Sequence, residues 1–136
     1  MTQEEKELLI KDITARLPYK PIVHIHDIDV IDYDNYLYPD YLEKMMSSSI
    51  TLKPYLRPMW SMTQEEKQEL KDLLGSELVS CSDFGYLEGG TFVEYISSIP
   101  YSLCIYVIDW LNANHFDYRG LIEKGLAIDC TNLNIY

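Results

Sequence analysis

Long apolar runs are missing from this sequence. The most apolar stretch lies near Leu103–Ile108, far short of the roughly 20 residues that span a bilayer, so no membrane partner is expected. The opening residues, Met-Thr-Gln-Glu-Glu-Lys-Glu, have neither the basic segment nor the apolar segment of a signal peptide, and the expected compartment is the cytoplasm. Cysteine is scarce. Cys81, Cys104 and Cys130 are odd in number and far apart, with no CxxC or Cys/His spacing. They suggest neither a disulfide framework nor a zinc site, and read as three reduced thiols packed like small apolar residues. Gly89-Gly90 lacks the Lys-Ser/Thr that completes a phosphate loop, and no G-x-S-x-G elbow occurs. No cofactor and no catalytic residue is expected.

Positive charge is also in short supply. Lys and Arg number 11 against 22 Asp and Glu, for a net charge of −11. No Lys or Arg occurs between Lys20 and Lys44, nor between Lys71 and Arg119. Duplex nucleic acid and anionic membranes repel such a chain overall. Acidity also serves solubility, so charge alone does not name a partner.

What is present points to one folded domain over residues 1–136. This length is close to the commonest domain size, and 47% of the residues are apolar, enough for a core without disulfides or metal. The six residues MTQEEK occur twice, at Met1–Lys6 and Met62–Lys67. Each copy places Thr three residues before Glu, Thr2 with Glu5 and Thr63 with Glu66. This is a capping box, in which the Thr hydroxyl accepts from the N3 amide and the Glu carboxylate from the cap amide. Because the segments that follow differ, the repeat reads as two helix starts rather than a duplication.

The first helix is expected from Thr2 to about Leu17, with Leu9, Ile13 and Leu17 inward and Pro18 and Pro21 ending it. Ile22–Tyr33 reads as a strand with both faces mixed, and Asp32–Asn35 as a turn. Pro39–Met46 fits a short helix. Ile50–Leu52 is β-like and leads into an extended Lys53–Pro58. The second capped helix runs from Thr63 to about Leu74 and stops at Gly75. Gly85, Gly89 and Gly90 mark a loop, and Thr91–Ser98 suits helix or strand. Ser102–Asn114 has the spacing of a largely buried helix, through Leu103, Tyr106, Val107, Trp110 and Leu111. Leu126–Ile128 fits a last short strand. The expected fold class is α+β, with three main helices packed on a small antiparallel sheet.

Two segments, Lys53-Pro-Tyr-Leu-Arg-Pro-Met-Trp-Ser-Met-Thr63 and Asp109-Trp-Leu-Asn-Ala-Asn-His-Phe-Asp-Tyr-Arg-Gly-Leu-Ile122 with Gly125-Leu126-Ala127, resemble a group of short, acidic, uncharacterised proteins from anaerobic gut bacteria and their mobile elements. The resemblance does not extend to residues 22–49 or 76–100. No activity is established for the group, so it transfers no catalytic residue. It implies a phage- or mobile-element-associated gene product.

His24-Ile-His-Asp-Ile-Asp29 is the most enzyme-like string. On a strand His24 and His26 project together and could share a metal, while Asp27 and Asp29 face away. The order is not H-x-H-x-D-H, because Ile28 and Asp29 stand where that motif needs Asp and His. The plain alternative is a polar strand face. Lys53, Tyr55 and Arg57 form a basic island that suits a phosphate or the protein's own acids. His115-Phe-Asp-Tyr-Arg119 offers either a recognition patch built on His115, Asp117, Tyr118 and Arg119, or a helix end with His115 near the negative dipole terminus and Asp117 holding Arg119. Tyrosine is abundant, 12 against 3 Phe. Tyr33, Tyr36, Tyr38 and Tyr41 lie among Asp32, Asp34 and Asp40, and tyrosine suits wet, adaptable interfaces.

The favoured expectation is a non-enzymatic interaction protein, an adaptor or inhibitor, binding another protein through an acidic, tyrosine-bearing surface. The alternatives are a small metal-dependent enzyme using His24 and His26, and a nucleic-acid binder using Lys53, Arg57 and Arg119 with stacking tyrosines.

Overall fold

Both capping boxes form. In the computed structural model, Thr2 Oγ1 accepts from the Glu5 amide at 3.1 Å, and Glu5 accepts from the Thr2 amide at 2.7 Å. Thr63 and Glu66 repeat the exchange at 3.1 Å in each direction. These caps start α1 (Gln3–Arg16) and α3 (Gln64–Leu74). Between them lie β1 (Ile22–Asp27), β2 (Tyr33–Tyr36), α2 (Pro39–Met46) and β3 (Ile50–Pro58); α4 (Tyr101–Ala113), β4 (Phe116–Asp117) and β5 (Ile128–Asp129) follow. The structure describes residues 1–74 and 101–136. The expectations for Gly75, for the Gly85–Gly90 loop and for Thr91–Ser98 lie outside the described residues.

The α+β class stands, with two corrections. The described residues contain four α-helices, not three, because Pro39–Met46 closes two full turns with Pro39 at its start. The strand pairings are mixed rather than antiparallel: β1 pairs antiparallel with β2 and β3, while β4 and β5 each pair parallel with β3. The chain divides into two compact units, Met1–Leu56 with Arg119–Tyr136, and Arg57–Tyr118.

In the first unit the strands alternate cleanly. Val23, Ile25, Ile50, Leu52 and Leu56 are buried and pack with Leu9 and Ile13 of α1 and Tyr41 and Met45 of α2. Ile22, His24, His26, Thr51, Lys53 and Tyr55 occupy the opposite, solvated face. The faces are not mixed as expected from sequence, because β1 stops at Asp27. The expected turn at Asp32–Asn35 is instead largely β2, and the turn lies earlier, over residues 28–32. There the Asp27 carboxylate accepts the Asp29 amide at 3.0 Å, a local bond that competes with the ladder.

Pro54 sits within β3 at no cost to the β1 ladder. Leu37 donates its amide to the Pro21 carbonyl, which fixes the alternation of hydrogen-bonded pairs and turns the Pro54 nitrogen away from β1. At the end of that ladder Tyr136 takes over. Its hydroxyl accepts from the Ile22 amide at 2.8 Å and donates to the Tyr55 carbonyl at 3.1 Å. The ring is half exposed, but the hydroxyl lies between two strands. Burial pushes the phenol well above its ordinary range.

Beneath α1 runs a buried ionic network. Asp12 and Arg16 are fully buried. Asp12 accepts from Arg16 Nε at 2.7 Å and Nη2 at 3.1 Å, and from Arg119 Nη1 at 3.0 Å.

In the second unit, Val107 and Leu111 of α4 are buried, but Ile105 and Tyr106 are more than half exposed. The largely buried helix expected there is therefore amphipathic over its described side chains. No helix among the described residues is long and apolar enough to cross a membrane.

Candidate functional site: the β1–β2 hairpin

The hairpin carries two features side by side: an apolar tip and a cluster of histidines and carboxylates. The tip is residues 28–32. Ile28, Val30 and Ile31 are 75%, 59% and 82% exposed, and Asp27, Asp29 and Asp32 are interleaved with them. Sequence alternation placed these apolar residues in a strand. The structure instead exposes three β-branched side chains within four residues. Single exposed apolar residues are ordinary, whereas adjacent ones mark contact sites.

Behind the tip, the antiparallel register sets His24 opposite Asp34, and the same register continues to His26 and Asp32. These are non-hydrogen-bonded positions, where facing side chains approach most closely. His24 Nδ1 lies 2.8 Å from Asp34 Oδ1, and His24 Nε2 lies 3.5 Å from Asp32 Oδ2. His26 Nδ1 is hydrogen-bonded to Asp32 Oδ1. Tyr55 on β3 donates its hydroxyl to Asp34 Oδ1 at 3.0 Å. The His26 hydrogen bond holds the Asp32 carboxyl below its usual range, with His24 adding to it. Burial and the Asp34 carboxylate push the Tyr55 phenol up.

The two histidines thus share a face, as their spacing implies. Their partners are Asp32, at the end of the turn, and Asp34, on the returning strand, and not the Asp27 and Asp29 of the same string. Among the described residues no group of three or more His, Cys, Asp or Glu side chains is disposed to hold a metal ion. Side-chain exposures of 33% for His24 and 58% for His26 leave the cluster open to water. It therefore lacks the desolvation that strengthens acid–base catalysis.

β2 is an edge strand, pairing among the described residues only with β1. Its outward-pointing Tyr36 amide donates to Asn35 Oδ1 at 2.8 Å, and Asn35 Nδ2 donates to Tyr41 at 2.8 Å. The amide side chain therefore blunts the edge against pairing with another strand.

The tyrosine group separates. Tyr36 and Tyr38 are exposed, Tyr41 is buried, and Tyr33 is half-buried on the core side. Burial, and then Tyr41, raise the Tyr33 phenol. The acidic, tyrosine-bearing surface accordingly contains Tyr36 and Tyr38, with Tyr55 partly accessible.

The remaining sequence candidates are placed differently. Lys53 is exposed. Arg57 makes a two-pronged pair with Glu66, at 2.7 and 2.6 Å, and lies 4.2 Å from the Phe116 ring centroid. Burial alone would raise the Glu66 carboxyl. The Arg57 guanidinium and the Thr63 amide outweigh it and hold the carboxyl below its usual range. That contribution is present above the ordinary carboxylate range and is lost as the pH falls through the lowered one. His115 follows α4 in the left-handed region, φ 62°, with its amide on the Asn112 carbonyl, as a helix-ending residue does. Phe116 and Asp117 are buried, Tyr118 donates to Asn112 Oδ1 at 2.9 Å, and Arg119 reaches Asp12.

Arg57→Ala is expected to lower stability by about 2–3 kcal/mol, from the charge-assisted bonds and the ring contact. Arg57→Lys should recover only part, because the planar fork is lost. Urea denaturation checks both. Unchanged stability together with lost nucleic-acid binding would instead make Arg57 a phosphate contact.

No protein-family model, no curated protein and no solved structure matches this chain.

Proposed function

We propose that this protein is a non-enzymatic interaction module, an adaptor or inhibitor, whose contact element is the β1–β2 hairpin. The observation that carries the reading is the exposed Ile28, Val30 and Ile31 interleaved with Asp27, Asp29 and Asp32. The partner that fits is a protein with an apolar pocket rimmed by Lys or Arg. The apolar side chains supply affinity by leaving water. The carboxylates, in a stretch with no Lys or Arg from 21 to 43, supply steering and selectivity.

Two observations weigh against the other classes. The histidine rings face carboxylates on an open sheet face, which does not favour an enzyme built on His24 and His26. Arg57 and Arg119 are paired with Glu66 and Asp12, which leaves Lys53 to carry a nucleic-acid reading.

The charge component is tested by salt. The protein that co-purifies with the chain from its source cells should associate at a rate that falls steeply between about 0.1 and 1 M salt, as the Debye length shrinks from about 10 to about 3 Å. Dissociation should change less. Stopped-flow mixing at the two salt concentrations measures both. An association rate indifferent to salt removes steering from the account.

A further inference from the structure

His24 carries an observation that the contact reading does not use: both of its ring nitrogens face carboxylate oxygens, Asp34 Oδ1 at 2.8 Å and Asp32 Oδ2 at 3.5 Å. A neutral imidazole has one N–H and one lone pair. It can donate to one of these carboxylates, and its lone pair then confronts the other. Only the imidazolium presents an N–H to each. We propose that the β1–β2 hairpin is a proton-loaded clasp, closed most tightly when His24 and His26 are both imidazolium and Asp32 and Asp34 are both ionised.

The groups facing this cluster come from three strands and the turn. β1 contributes His24 and His26, with Asp27 at its end; the turn and β2 contribute Asp32 and Asp34. β3 contributes Tyr55, bonded to Asp34, and Lys53, the register partner of His24. With both imidazoles neutral and both carboxylates ionised, the four central groups sum to two negative charges held side by side. Each proton taken up by a histidine converts a neutral hydrogen bond into a charge-assisted one and cancels one of those charges. Those charge-assisted bonds exist only in the closed hairpin. By linkage, closure is then favoured as pH falls through the range near 6.5 where imidazoles ordinarily charge. At still lower pH the carboxylates protonate and the gain is lost. Tightness therefore peaks in a window between ordinary carboxylate and ordinary imidazole titration.

The clasp sits at the base of the tip, with His26 two residues before Ile28 and Asp32 one residue after Ile31. Protonation of both histidines therefore stiffens the tip while cancelling the negative charge of the cluster behind it. The consequence for a partner rests on the contact reading, whereas the clasp itself does not.

Amide hydrogen exchange on the isolated protein tests it, read at Tyr33, Asn35 and Leu37. Leu37 bonds to Pro21, and the ladder's alternation turns the other two amides toward β1 as well. After correction for intrinsic exchange, protection should rise about three- to tenfold from pH 7.5 to 5.5, the gain expected from two exposed charge pairs. In the His24→Gln/His26→Gln variant, which keeps side-chain donors but cannot take up a proton, the rise should vanish. Ring 15N shifts of His24 should report both nitrogens protonated at pH 5.5. No rise in the wild-type protein, the same rise in the variant, or a neutral single tautomer of His24 at pH 5.5 would each overturn the clasp. Since no partner is present, failure here is distinct from failure of the contact reading.

Discussion

Asp12→Ala should lower the unfolding free energy by about 3–5 kcal/mol, the usual cost of removing one partner from a buried ion pair. Asp12 is fully buried and accepts three hydrogen bonds, two from Arg16 and one from Arg119. Arg16 is also fully buried, and a guanidinium cannot shed its proton to escape the loss. Truncation removes the carboxylate that this cation faces and opens a small void beside it. Asp12→Asn should fall between, because the amide keeps one acceptor oxygen but carries no charge. Urea denaturation measures the change as a shift in midpoint at constant slope. A loss below about 1 kcal/mol would mean that water reaches Arg16 once the carboxylate is gone.

That network shows where the sequence was legible and where it was not. Asp12 and Arg16 are spaced i and i+4, visible in the sequence as a helical pair of the kind usually found on a surface. In the structure both are buried and Asp12 also accepts from Arg119, 107 residues away, and no local pattern reports that. The capping boxes were legible because every atom they need lies within four residues. The parallel pairings of β3 with β4 and β5 were not, since each joins segments about 60 or more residues apart in sequence. The extended character of Ile50–Pro58 was legible from its β-like start and its two prolines, and the structure makes the whole segment one strand, β3.

The hairpin was misread for a physical reason. From Ile22 to Tyr33 apolar and polar residues intermingle through the turn, alternating from Val23 to His26 and from Asp27 to Val30, with no Gly or Asn-Gly to interrupt them. A period-two pattern predicts a continuing strand. The chain turns instead at Asp27, whose side chain accepts the Asp29 amide. Asp27 and Asp29 were visible as turn formers, and the run of three Asp within six residues, at 27, 29 and 32, was the available signal. The partnership of His24 with Asp34 follows once the turn is placed, because antiparallel register then fixes who faces whom.

The second large effect concerns the tip. Ile28→Ser with Ile31→Ser should weaken partner association by about a hundredfold or more, since burying each isoleucine contributes about 1.5–3 kcal/mol and about 1.4 kcal/mol is tenfold in affinity. The same substitutions should leave folding nearly untouched, within about 0.5 kcal/mol, because side chains 75% and 82% exposed have little contact to lose. The two readouts together separate a contact element from a structural one. The decisive measurement is the affinity of this double variant and of the wild-type chain for the co-purifying protein, taken beside their urea midpoints. The account predicts unchanged midpoints and binding reduced at least a hundredfold. Equal affinity of variant and wild type would contradict it.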